Sequence, residues 1–87
     1  MSEQALQKKI IKYLEARGYY VLKIIISSKK GKPDIIGCTT EGLFFGIEVK
    51  LKGNNPTRLQ QYNIDEINRT GGFAMVAYSV EDVATHL

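Results

Sequence analysis

Leu6, Ile10, Tyr13 and Leu14 recur at helical spacing between Ser2, a favourable N-cap, and Gly18, which ends the run. They predict an amphipathic helix over residues 3–17. The period then changes. Tyr19 to Ser27 ("YYVLKIIIS") is β-branched and aromatic, and predicts a strand that the Gly/Pro/Lys segment "SKKGKP" breaks. "DIIGCTT" and "LFFGIEVKL" predict two further strands, joined as a hairpin across the short "EG" turn. Beyond the loop "KGNNP", a helix runs from an N-cap at Thr57 to Arg69 and is ended by "TGG". "FAMVAY" is continuously apolar, as in a strand covered on both faces, and "SVEDVATHL" is a short helix capped by Ser79. The order α-β-β-β-α-β-α predicts an α/β fold: a mixed four-stranded sheet flanked by helices.

Five polar residues interrupt this pattern. Along the third strand, Phe45, Ile47 and Val49 share one face, while Gly46, Glu48 and Lys50 share the other. A carboxylate and an ammonium therefore project side by side, with room beside them at Gly46. Asp34 follows Pro33 at the start of the preceding strand, so the hairpin brings it to the end where Glu48 and Lys50 lie. Two adjacent carboxylates repel unless a proton or a divalent cation lies between them. Lys50 can serve as an ion-pair partner or act on a water. On the first helix, Glu3 lies within about 20° of both Ile10 and Leu14, on the apolar stripe. A first-turn Glu is also favoured by the helix dipole alone. On the second, Gln60 shares the inner face of Ile64 and Ile67, whereas Gln61 aligns with Asp65 and Asn68 outside. An inward Gln in a first turn is commonly a capping or packing residue.

Composition narrows the picture. The chain has 87 residues, 44% of them hydrophobic, which fits one domain spanning 1–87 with a modest core. No apolar run approaches membrane-spanning length and no signal-peptide pattern opens the sequence, so a cytoplasmic location without membrane association is expected. The lone Cys38 suits a reducing compartment, and with one His, at 86, neither a Ser-His-Asp triad nor a Cys/His zinc site is supplied. "KKGKPD" lacks the spacing of a phosphate-binding P-loop. The net charge is +3, with Lys29, Lys30, Lys32, Lys50, Lys52 and Arg58 gathered in the middle of the chain. That density suits a polyanion, nucleic acid above all, and is equally met on ordinary solvated surfaces.

Taken together, "GKPDIIG", "GIEVK", Gln60 with "TGG", "FAMVAYS" and "VEDV" resemble the PD-(D/E)XK nuclease superfamily. Within it they are most similar to the virus-type replication–repair nuclease (VRR-NUC) domain, over essentially the whole chain. The archaeal Holliday-junction resolvases are more loosely similar. The resemblance implies a restriction-endonuclease-like core and Mg²⁺- or Mn²⁺-dependent hydrolysis of DNA phosphodiesters. Asp34, Glu48 and the Val49 main-chain carbonyl would then bind metal, with Glu3, preferred over Glu15, reaching it directly or through water. Lys50 would position or deprotonate the attacking water, Gln60 would orient Lys50, water or phosphate, and Lys29, Lys30, Lys32, Lys52 and Arg58 would contact the DNA backbone. Expected partners are branched DNA, four-way junctions first, and a second copy of the chain, since symmetric junction cutting needs two sites. The competing expectations are a flap or restriction-type nuclease and a non-catalytic nucleic-acid-binding module; a pure binder would have no use for carboxylates facing phosphate.

Overall fold

A computed structural model describes residues 1–25 and 27–87. Seven elements follow in the expected order: α1 (Glu3–Ala16), β1 (Tyr20–Lys23), β2 (Ile35–Cys38), β3 (Phe44–Val49), α2 (Arg58–Arg69), β4 (Phe73–Ala77) and α3 (Val80–Ala84). The strands lie side by side in sequence order. β1 and β2, and β2 and β3, are antiparallel; β3 and β4, joined through α2, are parallel. The sheet is therefore mixed and four-stranded.

Alternation divides its faces. Ile35, Phe45, Ile47, Val49 and Ala77 point to one side and are fully buried against Leu6, Ile10 and Leu14 of α1 and Val83 of α3. α2 packs on the other face, over β3 and β4, and buries Ile64. Each helix starts where a hydroxyl caps it: Ser2 Oγ accepts from Ala5 N, Thr57 Oγ1 from Gln60 N, and Ser79 Oγ from Asp82 N.

Two expectations change. The first strand ends at Lys23 rather than Ser27, of which Ile26 lies outside the described residues. Of the described residues beyond it, Ile24 N donates to Asp34 O (2.8 Å), where β2 has run out at Pro33, and Ile25 is 83% exposed. The β2–β3 connection is longer than "EG". Thr39 N donates to Leu43 O and Gly42 N to Thr39 O, with Gly42 at φ 88°, a conformation that favours glycine. Asn68 is exposed, as expected on the outer face of α2, and is engaged there. Its side chain donates to Ala74 O (3.0 Å) and accepts from Ala74 N (2.9 Å), clasping the outer edge of β4.

Candidate active site

The site forms where β3 finishes. Pro33 has no N–H, and one register step beyond the Ile35–Ile47 pair the main-chain ladder stops. Asp34 takes its place: its Oδ2 accepts from Val49 N at 2.9 Å, so the carboxylate is fixed against the strand that carries Glu48. A residue's N–H and C=O leave a strand on the same edge, so the Val49 carbonyl faces the side on which Asp34 sits.

Glu48 points to the α2 face and is 3% exposed. One of its oxygens, Oε2, accepts from Gln60 Nε2 at 3.1 Å, while Oε1 is buried with no donor among the described residues. Gln60 does two things at once. Its Oε1 accepts from Thr57 N (2.8 Å) and Thr57 Oγ1 accepts from Gln60 N (3.1 Å), a capping box that fixes the side chain whose amide holds Glu48. The capping role expected of an inward first-turn Gln is thus present, and the same side chain reaches Glu48.

Burial pushes the Glu48 carboxyl up to about 8, helped by the charge of Asp34 and by the hydrogen bond that a protonated Glu48 could give to Asp34. Lys50 opposes the shift, and Glu3 adds to it. With the proton on Glu48 the pair can share that bond; with both ionised, Oε1 lacks a partner. Glu3, Asp34, Glu48 and Lys50 therefore act on a common electrostatic field, and Gln60 touches it directly. Among the described residues, no three or more His, Cys, Asp or Glu side chains are placed to hold one ion. Any ion here would rest on the Asp34–Glu48 pair and main-chain oxygen, with Glu3 farther out.

The room expected beside Gly46 is filled by protein: a Cβ there would lie 3.0 Å from both Pro33 Cγ and Ile67 Cδ1. Lys29, Lys30, Lys32, Lys52 and Arg58 are exposed, on segments that lead into Asp34, out of β3 and into α2. His86 lies against Phe73, ring centroids 5.3 Å apart, away from these groups. Gln7 is a residue that the sequence reading missed. It follows Glu3 by one helical turn and is 8% exposed, with Oε1 unpartnered; its position on the stripe of Glu3, Ile10 and Leu14 was the available signal.

An α/β sheet with carboxylates collected at the end of a central strand defines the class. No family model matches the sequence, and no curated protein does. Solved structures do match. One, described as "VRR_NUC domain", superposes with a TM-score of 0.84 at 25% identity over 97% of this chain and 95% of that one. A second, "VRR_NUC domain protein", gives 0.79 at 19% identity over 98% and 84%. The chain has the VRR-NUC fold, a nuclease-type fold, in agreement with the resemblance carried by "KPD" and "GIEVK".

Proposed function

We propose that this protein is a divalent-metal-dependent, structure-selective DNA endonuclease of phage or prophage type, with four-way junctions as its preferred substrate. One observation carries the reading: Glu48, buried beside Asp34, keeps a carboxylate oxygen with no donor while Gln60 holds the other. A buried acceptor left unpaired costs about 1–3 kcal/mol, and a hard cation relieves both that deficit and the repulsion between the carboxylates. The donor set fits Mg²⁺ or Mn²⁺, held by Asp34, Glu48 and the Val49 carbonyl, with Glu3 reaching it directly or through water. Such an ion, when bound, polarises the phosphate and offsets developing negative charge.

The chain's own groups do the rest. Lys50 projects beside Glu48 and positions or deprotonates the attacking water. Gln60 fixes Glu48, and the exposed lysines with Arg58 hold the DNA backbone without reading sequence. A two-fold homodimer would supply the two cuts that a junction requires. The working location is the cytoplasm, the host's if the gene is carried by phage.

Labelled junctions, flaps and plain duplex incubated with the protein in Mg²⁺, Mn²⁺ or EDTA provide the test. Junction cleavage that needs the metal is expected. Flap cleavage in preference to junctions would replace the substrate, and binding without cutting of any DNA in either metal would replace the enzyme with a binding module.

A further inference from the structure

On the face that carries Glu48, α2 packs on β3 and β4, and the open part of the sheet leaves Tyr20, Leu22 and Phe44 exposed. A groove of about 360 Å³ lies there, between the sheet, α2 and the segment that connects β1 to β2. Pro33, Ile36, Phe44 and Ile67 give it apolar walls, and Lys29 and Lys32 line it as well. The volume is in the lower range of small-ligand sites. Glu48 does not line the groove: the wall toward Gly46, two residues before Glu48 on the same face, is made by Pro33 and Ile67.

Charge decides what suits it. Its one lining carboxylate, Glu66, is paired with Arg69 at 2.9 Å, and neither lysine makes an ion pair among the described residues. An apolar floor with an aromatic ring, beside uncompensated cations, matches an anion that carries a flat ring. We propose that this groove binds one unpaired nucleotide of a branched DNA, its base against Phe44 and Ile36 and its phosphate at Lys29 and Lys32.

The inference rests on the nuclease reading and deepens it. Phe44 and Glu48 lie on the same face of β3, four residues and about 13 Å apart. A base seated at Phe44 therefore lies beside the cutting site rather than in it, and its seating favours DNA that has lost pairing next to the cut phosphate. A second copy of the chain is the less fitting occupant, because a two-fold contact would gather the lysines of both copies in one interface.

The probe is a branched DNA with 2-aminopurine at an unpaired position next to the branch, against a fully paired duplex containing the same base, both in Ca²⁺. Binding should quench the unpaired probe only. Phe44→Ala and, separately, the double variant Lys29→Gln/Lys32→Gln should abolish the quench, and Phe44→Ala should lower the preference for branched DNA about tenfold. Quenching and preference unchanged in both variants would overturn the proposal. So would a Phe44→Ala protein that changes from dimer to monomer by sedimentation while keeping the wild-type quench, which assigns the groove to a second copy. The readout needs no cleavage. Wild-type protein that quenches but never cuts DNA fails the nuclease reading alone, and protein that cuts branched DNA without quenching fails this one alone.

Discussion

Gln60 donates to Glu48 at 3.1 Å with the same side chain that closes the capping box of α2 on Thr57. The start of a helix and the orientation of a buried carboxylate are therefore set by one rotamer. Helix caps are usually matters of stability; here the cap also holds a site group in place.

Thr57→Ala should consequently cost more than stability. Loss of an N-cap destabilises by about 0.5–2 kcal/mol, equivalent to roughly 4–8 °C in Tm per kcal/mol for a domain of this size. Ser79→Ala removes the comparable cap of α3, whose hydroxyl accepts from Asp82 N at 3.0 Å and makes no bond with Asp34 or Glu48 among the described residues. Calorimetry should find similar losses in the two variants. Metal-dependent cleavage below the melting range should fall in Thr57→Ala only; equal activity in both would separate the cap from the site.

Glu48 gives the protein a pH signature. The folded chain keeps its proton up to about pH 8, whereas an ordinary glutamate releases it near 4.5. In that window unfolding releases a proton, so metal-free stability falls as pH rises and levels off above it. The steepest slope is about 1.4 kcal/mol per pH unit. Urea unfolding in EDTA between pH 5 and 9 should show the decline, and Glu48→Gln should flatten it and be the more stable protein at pH 8.5. A metal ion takes the ionised form, so Mg²⁺ should raise Tm more at pH 8.5 than at 6.5.

Asp34→Asn is expected to separate fold from chemistry. The amide oxygen can still accept from Val49 N, which now bonds Asp34 Oδ2 at 2.9 Å. Removal of the neighbouring charge eases ionisation of Glu48, one of the causes that hold its carboxyl high. Unfolding at pH 8 should show equal or greater stability, while Mg²⁺-induced stabilisation and DNA cutting are lost. A variant that cuts at the wild-type rate would remove Asp34 from the site.

Gly37→Ala tests the packing of the sheet. A Cβ there would meet the Tyr20 carbonyl oxygen and lie 2.5 Å from Phe45 Cζ, a ring in the fully buried core. Backbone and core must both shift, at a cost of about 1–3 kcal/mol or more. Thermal unfolding should show the loss; an unchanged Tm would mean that β1 can move away freely.

Sequence periodicity revealed most of the architecture because the strands and helices here bury one clean side each. Alternation in "FFGIEVK" sorted Phe45, Ile47 and Val49 from Glu48 before any contact was known, and both caps at Thr57 and Ser79 stand where their residue types suggest. What stayed hidden depends on partners remote in sequence. The apolar run through Ile24 and Ile25 looks like strand, but Pro33 ends the neighbour that would pair with it. Asn68 sits on the polar side of α2 by helical angle and stays exposed there, but its two bonds to the edge of β4 could not be read from that angle. The space at Gly46 was legible as space, but its filling by Pro33 and Ile67 was not.

The bond from Val49 N to Asp34 has one more consequence. A side chain replaces a rung of the ladder, so the register of β2 on β3 and the assembly of the carboxylate pair are a single variable. A chain paired one residue out would turn Glu48 to the opposite face and leave Asp34 without its rung. Misfolded molecules would then be inert rather than indiscriminate, a useful default for a protein whose proposed reaction is the breakage of DNA.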